Sequence, residues 1–366
     1  SRETDWDPAA IAAPRVLWKA DVDVGYSNVV IQDGRLYTLG MEGKAYKDEL
    51  IVVCLDAATG KRTWRRPFAA KGVPPQTTPV VDGDSLFVLT TTGILYRIDS
   101  RTGKERWRKD IVADYGAVKP LQGFAGSPVV DGDLVLLTSN TAGMAFRRDT
   151  GELAWTSDKP PAYFKCNATD PGVSYSTPVL YEEGGRRLGL FVSWRGITSV
   201  DVGTGTQVWR HDHAIHLTYA TPDPLVIGDR ICVSLAENEL FDHEGYLLQV
   251  QSDAPRQLWK TADLFSVGSS PVAVGRYLYN VYYGLWGPWQ RPPTSLRCLD
   301  LDGQELDTLK LTKNAAGELD PAYVAAAVPE SGFGALRAIV RPSMKSVTLL
   351  DDPLLGPARL RLSLGA

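Results

Sequence analysis

Apolar residues come along this chain in short runs separated by turn-forming pairs. Thr78-Pro-Val-Val-Asp-Gly-Asp84 shows the unit. The proline opens a strand, where its missing N–H costs nothing. Val80-Val81 is an innermost strand, and Asp-Gly closes a hairpin because glycine accepts positive φ. Ser85–Leu89 alternates and predicts a second strand, and Leu95–Asp99 predicts a third. Thr102-Gly103 then turns the chain, and Trp107 stands on a fourth, outer strand.

The unit repeats. Asp-x-x-Thr-Gly-x-x-x-Trp occurs at Asp56–Trp64, Asp99–Trp107 and Asp201–Trp209, and Arg147–Trp155 carries it with Arg147 in the Asp slot. A degenerate copy ends at Trp259, and Asp300-Leu-Asp-Gly303 has lost its Trp. Successive tryptophans stand 43, 48, 54 and 50 residues apart, which fits four strands per unit. The Pro-Val-Val-Asp-Gly phrase returns at 127–133, with weaker versions at Asn28–Gly34, Thr177–Gly184, Thr221–Asp229 and Ser270–Gly275. Four-stranded units at this period predict an all-β fold, a closed β-propeller of antiparallel blades. Six blades fall at 26–66, 77–109, 126–157, 176–211, 220–261 and 270–310, and the tail at 322–364 is one more blade's length. Val16-Leu17-Trp18-Lys19 has no inner strands of its own. It is expected to complete the last blade and close the ring of one domain, 1–366, which leaves no free sheet edge. Seven blades follow, or eight if the tail is divided differently. Radially arranged tryptophans cannot converge on one ligand, so their expected role is to fill the wide outer gap between blades.

Composition narrows the function classes. Lys and Arg total 39 against 43 Asp and Glu, a net charge of −4, and a nucleic-acid partner would call for a basic face. No apolar run is long enough for a membrane-spanning helix. Cys54, Cys166, Cys232 and Cys298 form no CxxC pair, against a zinc ribbon or thioredoxin-type motif. Cys54 and Cys298, each before Leu-Asp in a strand-like run, read as small core residues.

The Asp-x-x-Thr-Gly-x-x-x-Trp units resemble the repeat of the PQQ-binding-like β-propellers. Gly123-Phe-Ala-Gly-Ser-Pro-Val-Val-Asp-Gly-Asp133 and Leu296-Arg-Cys-Leu-Asp300 look like bacterial exported members. The opening Ser1-Arg-Glu-Thr-Asp-Trp6 resembles the segment after a signal peptide in that group, so a periplasmic or otherwise exported location is expected. The resemblance implies one of two kinds of work. Some relatives are quinoprotein dehydrogenases that use pyrroloquinoline quinone and calcium, and one is a scaffold of the outer-membrane assembly machinery. This chain lacks the adjacent cysteine pair that covers the quinone and is shorter than those enzymes. No quinone-binding residue carries over, and PQQ is not expected. No lipidation cysteine stands near Ser1, so no anchor is expected either.

Two irregular segments break the repeat. His211-Asp212-His213-Ala-Ile-His216 gathers three of the four histidines on a connection between blades. In an extended segment His211 and His213 point to one side. With His216 and Asp212 they would suit a transition metal, or form a polar, pH-sensitive loop. Tyr282-Tyr283-Gly-Leu-Trp286-Gly-Pro-Trp289-Gln-Arg291-Pro-Pro293 interrupts the sixth blade between its second and third strands. Tyr282, Tyr283, Trp286, Trp289 and Arg291 are anchor types for a protein, peptide or glycan, or aromatics folded back over the blade.

A third candidate is the set of segments before the inner strands: Tyr26–Asn28, Gln76–Thr78, Phe124–Ser127, Ser174–Thr177, Tyr219–Thr221 and Val267–Ser270. Their small and hydroxyl side chains suit a crowded funnel wall or a polar pocket at its mouth. Lys165-Cys166-Asn167 to Asp170 could reach it, with Cys166 beside Lys165 as a reactive thiol. The expected function is a monomeric, exported, non-catalytic binding propeller working through its funnel face and the 282–293 loop. The alternative is a metal- or PQQ-dependent oxidoreductase at the funnel mouth.

Overall fold

The computed structural model of the chain describes residues 16–41, 49–68, 74–159, 174–193, 196–212, 222–235, 245–251, 254–264, 266, 269–282, 295–303, 305–310, 344–350 and 359–364. Its contacts divide the chain into two compact units. One comprises Trp18–Val226 with Val250–Arg256, and the other includes Ile227–Gln249 and the chain from Gln257 onward.

The first sheet runs β1 (Val30–Gln32), β2 (Arg35–Met41), β3 (Leu50–Asp56) and β4 (Arg62–Phe68). The second runs β5 (Val80–Asp82), β6 (Ser85–Leu89), β7 (Ile94–Asp99) and β8 (Glu105–Asp110). The third is β9 (Val129–Asp131), β10 (Leu134–Leu137), β11 (Met144–Arg147) and β12 (Leu153–Thr156). The fourth is β13 (Val179–Glu183), β14 (Arg186–Ser193), β15 (Gly196–Asp201) and β16 (Gln207–Asp212). The fifth is β17 (Leu225–Ile227), β18 (Arg230–Ser234), β19 (Gly245–Gln249) and β20 (Arg256–Thr261). The sixth is β21 (Val272–Val274), β22 (Tyr277–Tyr282), β23 (Ser295–Asp300) and β24 (Glu305–Lys310). Each is a meander whose neighbours in sequence are neighbours in the sheet. A two-stranded antiparallel pair, β25 (Met344–Leu350) and β26 (Arg359–Leu364), comes last, within the tail at 322–364.

The middle strands are buried along both faces. In β6 even Ser85 is covered, so Ser85–Leu89 does not alternate between core and solvent as expected. The reason is that the sheet has a neighbour on each side. Leu86 and Val88 pack with Tyr37, Leu39 and Val52 of the first sheet, while Phe87 and Leu89 pack with Val135, Leu137 and Phe146 of the third. Alternate residues of one strand thus serve two different cores. Cys54 and Cys298 are fully buried, as small core residues should be, and burial pushes the Cys232 thiol up to about 12.

The Asp-x-x-Thr-Gly phrase builds the turn between the third and fourth strands. Asp56 Oδ1 accepts from the N–H and hydroxyl of Thr59, and Asp99 and Asp201 do the same for Thr102 and Thr204. The glycine N–H donates back to the carbonyl of the first residue, and each glycine sits at positive φ near +70°. Burial works to raise Asp99, but bonds from Arg106, Thr102 and Arg101 outweigh it and bring the carboxyl down to about 2. A bulge precedes the turn in the third strand, between Cys54 and Leu55, Arg97 and Ile98, or Ser199 and Val200.

This turn receives the tryptophan of the preceding repeat. The indole N–H of Trp64 donates to Ser100 O at 3.1 Å, Trp107 to Arg148 O at 3.2 Å, and Trp155 to Val202 O at 2.8 Å. In the second unit Trp259 donates to Leu301 O at 2.9 Å. Every acceptor is the residue just after the Asp (or Arg147) position. Each ring lies against the glycine of the same turn, at Gly103, Gly151, Gly205 and Gly303 respectively. Trp18 makes the same contact on the first sheet, with its N–H on Ala57 O at 3.0 Å and its ring against Gly60. Residues 16–22 form no strand of their own. Trp18 therefore appears as a docked side chain with Val22 over the outer face of the first sheet.

Two glycine substitutions separate the dock from the turn. A Cβ on Gly103 would stand 2.9 Å from the Trp64 ring, whereas one on Gly83, also at positive φ, meets nothing within 4 Å. Gly83→Ala should cost about 1–2 kcal/mol for the left-handed backbone alone. Gly103→Ala should cost about 1–3 kcal/mol more for the displaced ring. Urea unfolding followed by tryptophan fluorescence measures both, and equal losses would remove the dock from the account.

Candidate functional site

The meander fixes where irregular segments can go. In each sheet the inner strand ends in a tight turn, Asp-Gly in the first three, the second strand returns, and the third ends in the turn that carries Thr-Gly in the first four. The connection between second and third strands, and the segment leading to the next sheet, therefore emerge at the opposite end of their sheet. Asp212 ends β16 and Tyr282 ends β22, so both irregular segments leave from this loop-bearing end of their own sheets. Tyr282 pairs with Ser295, which puts the aromatic insert between the second and third strands of the sixth sheet. Tyr283, Trp286, Trp289 and Arg291 lie outside the described residues, as do His213, His216, Lys165 and Cys166.

His211 and Asp212 are described, and they do not converge. They are consecutive on β16, facing Ile197 and Gly196 of β15, so their side chains leave opposite faces of the sheet. Asp212 Oδ1 is held by Arg210 Nε at 2.6 Å, on its own face. Among the described residues no three His, Cys, Asp or Glu side chains gather as a metal site would require.

The segments before the inner strands form an ordered ladder. Asn28 N–H donates to Thr78 Oγ1 at 3.3 Å, Thr78 N–H to Ser127 Oγ at 2.9 Å, and Ser127 N–H to Thr177 Oγ1 at 3.2 Å. Thr177 N–H donates to Asp223 Oδ1 at 2.6 Å. Each step joins one repeat to the next at the residue two before the inner strand. Pro79, Pro128, Pro178 and Pro224 follow the acceptors and hold the approach extended. The hydroxyls expected to line a pocket accept bonds from backbone amides instead. The fifth repeat also shifts: Thr221-Pro222 is the sequence match to Thr78-Pro79, but the ladder residue is Asp223, before Pro224. Two X-Pro pairs in succession made the register ambiguous, and the strand start at Leu225 decides it.

The same end carries exposed apolar residues in the first unit. Tyr26 is 73% exposed and Leu121 44%. Around them Tyr26 N–H donates to Pro75 O at 2.8 Å, Gln76 Nε2 to Gln122 O at 3.3 Å, and Gln122 N–H to the Tyr175 hydroxyl at 3.2 Å. Tyr26 stands at a repeat position, but Leu121 lies in a connection that the repeat does not describe. At the turn-bearing end, Arg148 bridges to Asp82 at 2.7 Å across a shallow polar depression lined also by Val81, Val130 and Asp133.

One tryptophan departs from the pattern. Trp209 is buried, but its N–H donates to the Tyr181 hydroxyl at 3.1 Å, within its own sheet. The turn at 249–256 that follows, Gln-Val-Gln-Ser-Asp-Ala-Pro-Arg, has no Thr-Gly to receive it. Tyr181 in turn contacts Ser199 Oγ at 2.8 Å, and burial raises its phenol.

Stacked four-stranded meanders joined by indole docks define a β-propeller built from PQQ-like repeats. A family model described as "Outer membrane protein assembly factor BamB" matches residues 47–287, and the chain belongs to that family. The crystal structure of BamB from Moraxella catarrhalis is similar at a TM-score of 0.60 and 18% identity, covering 80% of this chain and 78% of that one. That likeness shows the fold. A quinohemoprotein alcohol dehydrogenase, ADH IIB from Pseudomonas putida, is 27% identical over 234 residues. The match takes in 58% of this chain and 30% of that relative's length.

The ladder makes its own prediction. Ser127→Ala leaves the Thr78 N–H without its acceptor and should cost about 1–3 kcal/mol. Ser127→Thr keeps the hydroxyl, as Thr78 and Thr177 do, and should stay close to the parent. Chemical denaturation compares them, and equal stability would show that the hydroxyl bonds are incidental.

Proposed function

We propose that this protein is an exported binding propeller that holds protein or peptide segments at the loop-bearing ends of its sheets. Tyr282, Tyr283, Trp286, Trp289 and Arg291 of the insert supply the contacts. The observation that carries this reading is membership of a family described as an outer-membrane protein assembly factor. The insert adds support: it interrupts a regular meander with aromatic and Arg anchors, the residue types that dominate binding surfaces. The protein acts as a monomer. Among the described residues no helix is long and apolar enough to cross a membrane, which says nothing of a β-barrel.

A second reading, a metal- or quinone-dependent oxidoreductase, is favoured by the relationship to the quinohemoprotein alcohol dehydrogenase. It would use His211, His213, His216 and Asp212, of which the described pair leaves opposite faces of one strand.

An unfolded outer-membrane β-barrel protein, diluted from urea, is the probe suited to the first reading. Its binding, followed by fluorescence anisotropy, should weaken on the order of tenfold or more in Trp286→Ala/Trp289→Ala, the loss expected of two aromatic anchors. Unchanged affinity would remove the insert from the site. A glycan array run beside it tests the other ligand class. For the second reading, elemental analysis of the purified protein should find stoichiometric metal, lost in His211→Ala. Metal at background levels would eliminate the metal form of that reading.

A further inference from the structure

Charge is spread unevenly over the outer edges of the sheets. From the residue after the turn's Asp to the second residue past the Trp, the first repeat, 57–66, holds four cations and no acid. The second, 100–109, holds five cations and one acid. The same positions of the third repeat, 148–157, hold one cation and two acids, and those of the fourth, 202–211, hold one cation and no acid. Nine of the 39 Lys and Arg therefore fall in two ten-residue stretches of a chain whose net charge is −4.

The two stretches make one face. Trp64 N–H donates to Ser100 O at 3.1 Å, its ring lies on Gly103, and Arg66 Nη1 donates to Gly103 O at 2.9 Å. The turn that carries Arg101 and Lys104 is thereby held against the strand that carries Arg62. Two cations of the face are neutralised, Arg106 by Asp84 and Asp99, and Arg66 by Glu105. Lys61, Arg62, Arg101, Lys104 and Arg108 are exposed, and the first four enter no ion pair among the described residues.

We propose that this face rests on an anionic lipid surface and leaves the loop-bearing ends of the same sheets open to their own ligand. Guarding a free edge with charge does not account for it. The strands β4, β8, β12 and β16 are all last in their sheets, and only the first two are basic. A small phosphorylated ligand would need a concave site, whereas these side chains stand on strand edges and turn tips. Nucleic-acid bases would need open aromatic rings to stack on, but Trp64 and Trp107 are docked with their N–H groups satisfied. A protein partner would need an apolar or aromatic anchor at the centre of its footprint. None of the exposed large apolar residues falls in either stretch. Long basic side chains with no anchor among them match a laterally extended layer of anionic headgroups, where each adds its attraction without a fixed geometry.

Sedimentation of the full chain with lipid vesicles at low salt tests this. Vesicles of about one-third phosphatidylglycerol in phosphatidylcholine should bind it, vesicles of phosphatidylcholine alone should not, and salt at about 0.5 M should release it. Lys61→Gln/Arg62→Gln/Arg101→Gln/Lys104→Gln should weaken binding on the order of a hundredfold. If that variant folds poorly by urea unfolding, Lys61→Gln/Lys104→Gln should still lose on the order of tenfold. Lys119→Gln/Arg147→Gln/Arg186→Gln/Arg276→Gln removes as many exposed cations elsewhere and should bind like the parent. Equal loss in the two fourfold variants, or equal binding to the two kinds of vesicle, overturns the proposal. So does a single- or double-stranded oligonucleotide that binds more tightly than the vesicles at the same salt, since it assigns the face to another polyanion. Anisotropy of the unfolded outer-membrane protein should be the same for parent and variants, and a parallel loss there would merge the two surfaces and overturn the proposal as well.

Discussion

An indole lying on a glycine, with its N–H on a carbonyl two or three residues before that glycine, is the contact on which the rest of this structure depends. It reconciles two needs at the outer edge of stacked sheets. The gap there is wide and apolar, so a large flat ring fills it, and the ring carries a polar N–H that must be satisfied when covered. The receiving turn meets both. Its glycine leaves the ring room to approach, and a carbonyl earlier in the same turn accepts the indole N–H. The Asp and Thr side chains hold that turn in shape before any ring arrives. Where the turn lacks glycine, as at 249–256, the preceding indole of Trp209 finds Tyr181 instead.

The fold was legible in the residues because the dock demands particular residue types at fixed spacing. Asp, Thr, Gly and Trp each have a separate job in it, so their repetition specifies strand number, turn position and the order of the sheets. Two details were not legible. Ser85–Leu89 looked like a strand with one wet face, because a buried serine cannot be told from an exposed one by pattern. The fifth repeat was aligned on Thr221-Pro222, because a carboxylate at a hydroxyl position breaks the phrase that defines the match.

Function was less legible for a physical reason. The Thr78, Ser127 and Thr177 hydroxyls near the sheet ends each accept a backbone amide of the neighbouring repeat, so their repetition serves the fold and does not mark a ligand. His211 and Asp212 illustrate the second obstacle: adjacency in sequence implies opposite faces once the segment is a strand, and Arg210 already holds the acid. On the proposed reading, binding chemistry would fall to segments outside the repeat, where no periodicity constrains geometry. Tyr282 stands at the edge of such a segment, as the last strand residue before one begins.

The direction of the dock has a temporal meaning. Each docked indole (Trp209, bonded within its own sheet, is not among them) is presented by one repeat and received by the next, so a nascent chain makes an outer strand before its receptor exists. Trp64 must wait for the turn at Ser100–Gly103, and Trp107 for Arg148–Gly151. Trp18 waits only for the first sheet, and its acceptor at Ala57 is the earliest to emerge. At each such step of synthesis the growing end would carry one uncovered indole, and assembly would advance from the amino-terminal side one repeat behind the ribosome.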